Sequence, residues 1–192
     1  TSADAKHGYR LITTYITDPA RDTVLMRARL AAVRGSGTNL ADLHLYARMD
    51  AHVNGNGGGG SDNAGGNTGV IDNSTGSRVP VIYSTNTVTN AVNRDYAVPT
   101  FMALDASVSS PAASVGYAGT GSDGLSQLDA THTLAGYDSA PDGHITATED
   151  VTPTRGRSGW RSSLTAICAS WRSRSSSGSR SGRSSPRAAR FR

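Results

Sequence analysis

Apolar and polar side chains alternate most cleanly between Tyr9 and Leu30, in the stretch YRLITTYITDPARDTVLMRARL. In its second half Val24, Met26, Ala28 and Leu30 fall on one side and Arg27 and Arg29 on the other, the period of two of a half-buried strand. In its first half Leu11, Thr13 and Tyr15 oppose Ile12, Thr14 and Ile16. Between the halves, Asp18 can accept hydrogen bonds from the backbone just beyond it, and Pro19 has a fixed φ and no N–H, so the chain is set to turn there. The pattern predicts a β-hairpin.

The same alternation recurs downstream. Leu43, Leu45, Ala47 and Met49 oppose His44, Tyr46 and Arg48, which predicts a third strand over Leu40 to Met49. Val79 to Tyr83, Thr85 to Val92 and Tyr96 to Leu104 read as three more, with Pro80 and Pro99 marking edges or bulges. Ala112 to Ala118 and His144 to Thr148 complete a set of eight. No segment of ten or more residues before position 154 carries helical periodicity. Asn54 to Gly76, NGNGGGGSDNAGGNTGVIDNSTG, offers little to bury and is expected to be a mobile surface loop. Short strands separated by turn formers predict an all-β fold, a large antiparallel β-sandwich.

Composition divides the chain. Residues 1–154 carry nine basic and fifteen acidic side chains, a net −6, whereas 155–192 carry ten arginines and no acid, +10. The overall +4 is therefore a property of the tail. That tail has no amphipathic period, and so many like charges among Ser and Gly are expected to leave it disordered. The division expected is a lead over 1–8, a sandwich over 9–151 and an Arg/Ser-rich tail over 152–192. Cys168, the only cysteine, excludes an internal disulfide. No apolar run reaches the length of a membrane span, and nothing at Thr1 resembles a signal peptide. A chain beginning with Thr is expected to be a processed product or an excerpt.

Candidate chemistry is sparse. Glycosidases need two carboxyl groups across the scissile bond, and the one glutamate, Glu149, adjoins Asp150; neighbours on a strand face opposite ways, so a solvated strand end is the expectation and no catalytic residue is assigned. Ser61-Asp62-Asn63 spells a β-lactamase element without the lysine motifs that enzyme needs. Asp62, Asn63, Asp72 and Asn73 offer oxygen donors of the kind Ca²⁺ takes, on a loop that matches no EF-hand spacing, so calcium stands as the one cofactor candidate. His44 and His52 share parity but lie about 26 Å apart along an extended strand, too far for one ion. His7, His132 and His144 each read as solitary surface histidines. Asn73-Ser74-Thr75 is a glycosylation sequon, meaningful only in a eukaryotic secretory pathway. Tyr46 and Tyr83 are candidates for stacking on sugar rings, against the plainer reading of rim tyrosines.

The strings LITTYITDPARDTVLMRARL, ADLHLYARMDAHVNGNG, GYAGTGSDG and DGHITATEDV follow one another in an order that resembles the N-terminal domain of bacterial glucoamylases and glucodextranases of glycoside hydrolase family fifteen. Thr17-Asp18-Pro19, Gly116-Tyr117 and Ser122-Asp123-Gly124 carry most of the likeness, which runs from about Tyr9 to Val151. It implies a sandwich that packs against an (α/α)6 barrel absent from this chain. The parent enzyme would be secreted and would release glucose from α-glucan ends with inversion, through glutamates of that barrel. After Val151 the family continues into an apolar strand and the barrel, whereas here Arg, Ser and Gly follow; a shifted reading frame of GC-rich DNA yields such residues, and a shifted or truncated frame is expected. The alternative is a genuine tail, whose arginines would bind nucleic acid or another polyanion without sequence choice, with Trp171 stacking on bases.

Overall fold

The computed structural model describes residues 2–4, 6–18, 20–53, 66–85, 99–108 and 110–152, together with the backbone of 164–172. The predicted hairpin is present: β2 (Tyr9–Asp18) and β3 (Thr23–Ala32) pair antiparallel from Tyr9 opposite Ala32 to Asp18 opposite Thr23. Its turn closes as the sequence requires, with Asp18 Oδ1 accepting from the Ala20 N–H at 3.1 Å and the Asp18 carbonyl accepting from the Arg21 N–H at 3.1 Å.

The remaining strands are β1 (Ser2–Asp4), β4 (Tyr46–Asp50), β5 (Asn67–Asp72), β6 (Val79–Ser84), β7 (Thr100–Ala106), β8 (Ala113–Tyr117), β9 (Ser139–Gly143), β10 (Ile145–Asp150) and β11 (Leu164–Arg172). They form two antiparallel sheets, one of eight strands in the order β1-β2-β3-β11-β7-β6-β5-β9 and one of three in the order β4-β10-β8. The fold is an all-β sandwich. The small sheet lies over the β5, β6, β7 and β9 side of the large one, and the space between holds Met49, Ile82, Leu104, Val115, Ile145 and Ala147, each nearly or fully sealed from water. At the centre Gly69 of β5 leaves room for the Ile145 and Val115 side chains, which a Cβ there would strike. Closeness of the two sheets at that point depends on it.

Several expectations need correction. Leu40–Asp42 is a 3-10 turn capped by the Asn39 side chain, so the third strand starts only at Tyr46. Asn67–Asp72, within the expected loop, is β5; its inward positions are Asn67, Gly69 and Ile71, and a glycine and an asparagine there hide the apolar alternation. β1 pairs with β2, so the expected lead belongs to the large sheet. Pro80 lies in β6, an inner strand, but the β6–β7 pairing begins at Val81, and Pro99 stands just before β7. An eight-residue helix, α1 (Gly124–Thr131), was too short to register as a period. Within the tail expected to be disordered, the backbone of Leu164–Arg172 is β11, the strand that joins β3 to β7. Its run of Leu164, Ala166, Ile167, Cys168 and Ala169 is the apolar stretch that a compositional reading of the tail averages away. The Gly-rich positions 54–65, the strand expected at Thr85 to Val92 beyond residue 85, the first three residues of the strand expected at Tyr96 to Leu104, and tail positions 153–163 and 173–192 lie outside the described residues.

Candidate functional site

The most developed polar constellation stands on the outer face of the small sheet. β10 pairs with β4 so that Thr146 is opposite Asp50, Thr148 opposite Arg48 and Asp150 opposite Tyr46. Side chains two apart on a strand share a face, and here that face is the one turned away from the large sheet, with Ala47, Met49, Ala147 and Ile145 filling the other.

Asp123 anchors the constellation. It caps α1, with Oδ1 accepting from the Leu125 N–H at 3.1 Å and Oδ2 accepting from the Gly119 N–H at 2.9 Å. Arg48 donates to it twice, Nε to Oδ1 at 3.0 Å and Nη2 to Oδ2 at 2.9 Å, and the Thr146 hydroxyl donates to Oδ1 at 3.2 Å. Burial alone would raise the Asp123 carboxyl, but the hydrogen bonds from Arg48, Gly119 and Leu125 outweigh it and hold the group below its ordinary value. The partner guanidinium is shifted up by the same hydrogen bond.

This explains why the Gly116-Tyr117 and Ser122-Asp123-Gly124 strings go together. Ser122 Oγ accepts from the Tyr117 N–H at 3.0 Å, a Cβ on Gly116 would fall on the Ser122 carbonyl, and a Cβ on Gly124 would fall on the Thr148 side chain. Both glycines are where backbone meets another segment, so the motif seats the loop and α1 on β10.

Arg48 continues the network outward. Its Nη1 reaches Asp50 Oδ2 at 3.4 Å, leaving Oδ1 to face His144 Nε2 at 2.7 Å and His52 Nε2 at 3.6 Å. The rings of His52 and His144 meet edge to face with centroids 4.8 Å apart. Continuing the β4–β10 register two residues past Thr146 and Asp50 places His144 opposite His52. His144 is therefore not solitary, because strand pairing brings together residues that the linear chain separates. Asp50, His52 and His144 each present one ligand-type atom, all within 4.8 Å of one another.

The other sequence candidates are scattered. Asp72 Oδ1 accepts from the Ser74 N–H at 2.8 Å, and the Asn73 carbonyl accepts from Gly76, so both serve the β5–β6 turn; Asp62 and Asn63 lie outside the described residues. Tyr46 stacks with His44 on the small sheet, and Tyr83 stacks on Phe101 at 5.3 Å on the large sheet. Two rings on different sheets make no single platform. His44 approaches Asp150 at 3.9 Å, and His7 Nδ1 meets Asp4 Oδ2 at 2.7 Å.

Glu149 and Asp150 do not form a solvated strand end. β10 runs between β4 and β8, so Glu149 is 2% exposed and Asp150 7%. Adjacent on one strand, they point to opposite faces. Burial, then the charge of Asp105, pushes the Glu149 carboxyl up to about 8, against a hydrogen bond from Ser110. Its Oε2 has no hydrogen-bond partner among the described residues.

A family model described as glucodextranase, domain N, matches residues 1–165. The chain belongs to the glucodextranase domain N family. It is thus a glycoside hydrolase-related domain, as its ordered motifs imply. Among solved structures, the crystal structure of a bacterial glucoamylase complexed with acarbose is similar, at a TM-score of 0.64 and 21% identity over 88% of this chain and 21% of that chain. The likeness is one of fold, and the chain spans about a fifth of that glucoamylase's length. No curated protein matches the chain. No helix among the described residues is long and apolar enough to cross a membrane.

Proposed function

We propose that this domain N supports, and helps to orient substrate for, an (α/α)6 barrel of a secreted, inverting, exo-acting α-glucan hydrolase, and contributes no catalytic group itself. The observation that carries the reading is the placement of Glu149. It lies inside the sandwich with its carboxyl pushed up to about 8, and its neighbour Asp150 faces the other side of the sheet. A glycosidase pair needs two carboxyl groups converging on one bond, about 5 to 10 Å apart across an open cleft, and these two are separated by the sheet itself. The family match over residues 1–165 supports a glycoside hydrolase setting for the domain.

A contact surface for the barrel is available at the hairpin end. Tyr15 and Val24 share one face there, with Ile16 on the other, and all three are exposed. Apolar side chains grouped on a projecting element suit docking against another domain. The test is hydrolysis: the purified chain, incubated with maltooligosaccharide, dextran or starch, releases no glucose. Glucose release above a heat-denatured control would overturn the assignment.

A further inference from the structure

We propose that Asp50, His52 and His144 form a binding site for a divalent transition-metal ion of the Zn²⁺ class. The inference goes beyond the supporting role above and does not rest on it. Two imidazole nitrogens and one carboxylate oxygen are the donor set that Zn²⁺ and its neighbours take, leaving a fourth position open to water; Ca²⁺ wants six or more oxygens, which this face does not supply.

Three features make the group more than a chance meeting of surface residues. The β4–β10 register sets Thr146 opposite Asp50, and continued two residues past that pair it brings His144 across from His52, two positions from Asp50. Arg48 holds Asp50 Oδ2 at 3.4 Å and so directs Oδ1 at both histidines, the outer-shell hydrogen bond that ligating carboxylates ordinarily have. The arginine's own charge is balanced by Asp123, which it holds through two hydrogen bonds. Asp50 Oδ1 therefore points at the two histidines and away from the guanidinium. A tetrahedral ion with bonds of about 2.0–2.1 Å keeps its donors about 3.3 Å apart. Rotation at half-exposed His52 closes its 3.6 Å to Asp50 Oδ1, while His144 Nε2, at 2.7 Å, gives up its hydrogen bond for the ion and draws back. The bound ion would cross-link the end of β4 to the β9–β10 turn, residues 94 positions apart in the chain.

The experiment is calorimetric titration of ZnCl₂ into the untagged full chain carrying C168S, which removes the one thiol that binds zinc independently. One equivalent should bind, and H52A and H144A should each weaken it by at least ~10-fold, the lower end of what loss of even an outer-shell group costs. H44A, on a histidine outside the cluster, should bind like the parent, and CaCl₂ should not displace the zinc. If H144A fails to fold by circular dichroism, H52A decides, because that ring is half-exposed. No zinc binding, zinc binding unchanged in H52A, loss in H44A, or displacement by equimolar Ca²⁺ each overturns the proposal.

Discussion

Replacing Glu149 by Gln separates the titration of this buried group from its packing. The folded-state carboxyl titrates at about 8, raised first by burial and then by the Asp105 charge, against an ordinary value of 4.5 in the unfolded chain. Between those two values the folded state holds a proton that the unfolded state has released, so stability is fully present below about pH 4.5 and falls as pH rises toward 8. At 1.36 kcal/mol per pH unit, raising the pH from 5 to 7.5 removes about 3 kcal/mol from this group. A small domain has only ~5–15 kcal/mol in total, so the loss is large. Gln has the shape of the protonated acid and no titration. Urea unfolding of parent and E149Q across that range should give a parent midpoint that falls with pH relative to E149Q, the two being nearly equal at pH 5. Parallel pH profiles for the two proteins would refute the reasoning and show that water or a counter-charge reaches the Glu149 carboxyl.

Other consequences are as direct. R48M leaves the Asp123 carboxylate buried without its counter-charge and should cost about 2 kcal/mol in chemical denaturation, less than the ~3–5 kcal/mol of a fully enclosed pair because Arg48 touches water; an unchanged midpoint would show that the α1 cap alone satisfies Asp123. G116A forces a Cβ onto the Ser122 carbonyl and should destabilise by about 1–3 kcal/mol, whereas G121A, with open space around it, should not. Deleting residues 164–192 removes the strand that pairs with both β3 and β7, so amide exchange should quicken along those two strands and stay slow in β8 and β10.

The hairpin was legible in the sequence because period-two patterning on each side of an Asp-Pro turn marks two strands, and those strands pair antiparallel across the turn. Order of motifs along the chain likewise carried the family, since Gly116, Ser122, Asp123 and Gly124 mark one seating of loop on strand. β5 and β9 were illegible for a physical reason. Their inward positions include Gly69, where the Ile145 and Val115 side chains take the space, and the small, buried Ala140; a strand that works by being thin leaves no hydrophobic signature. The Asp50–His52–His144 group was hidden by distance along the chain. Asp50 and His52 lie past the end of the strand expected at 40–49, and nothing in composition selects the pairing of that strand with the one at 144–148 over the others. Glu149 looked like a solvated end because the sequence does not say that strands flank it on both sides.

Domain N's proposed role is support of a separate catalytic barrel. It is tested most directly by adding the chain to the barrel of a bacterial glucoamylase produced without its own N-terminal domain, and by following glucose release and the melting temperature of the barrel as the chain is titrated in. The account predicts that both rise to saturation, and that substituting Tyr15 and Val24 by Ser and Thr weakens the effect. A barrel whose activity and melting temperature are indifferent to a saturating excess of the folded chain would contradict it.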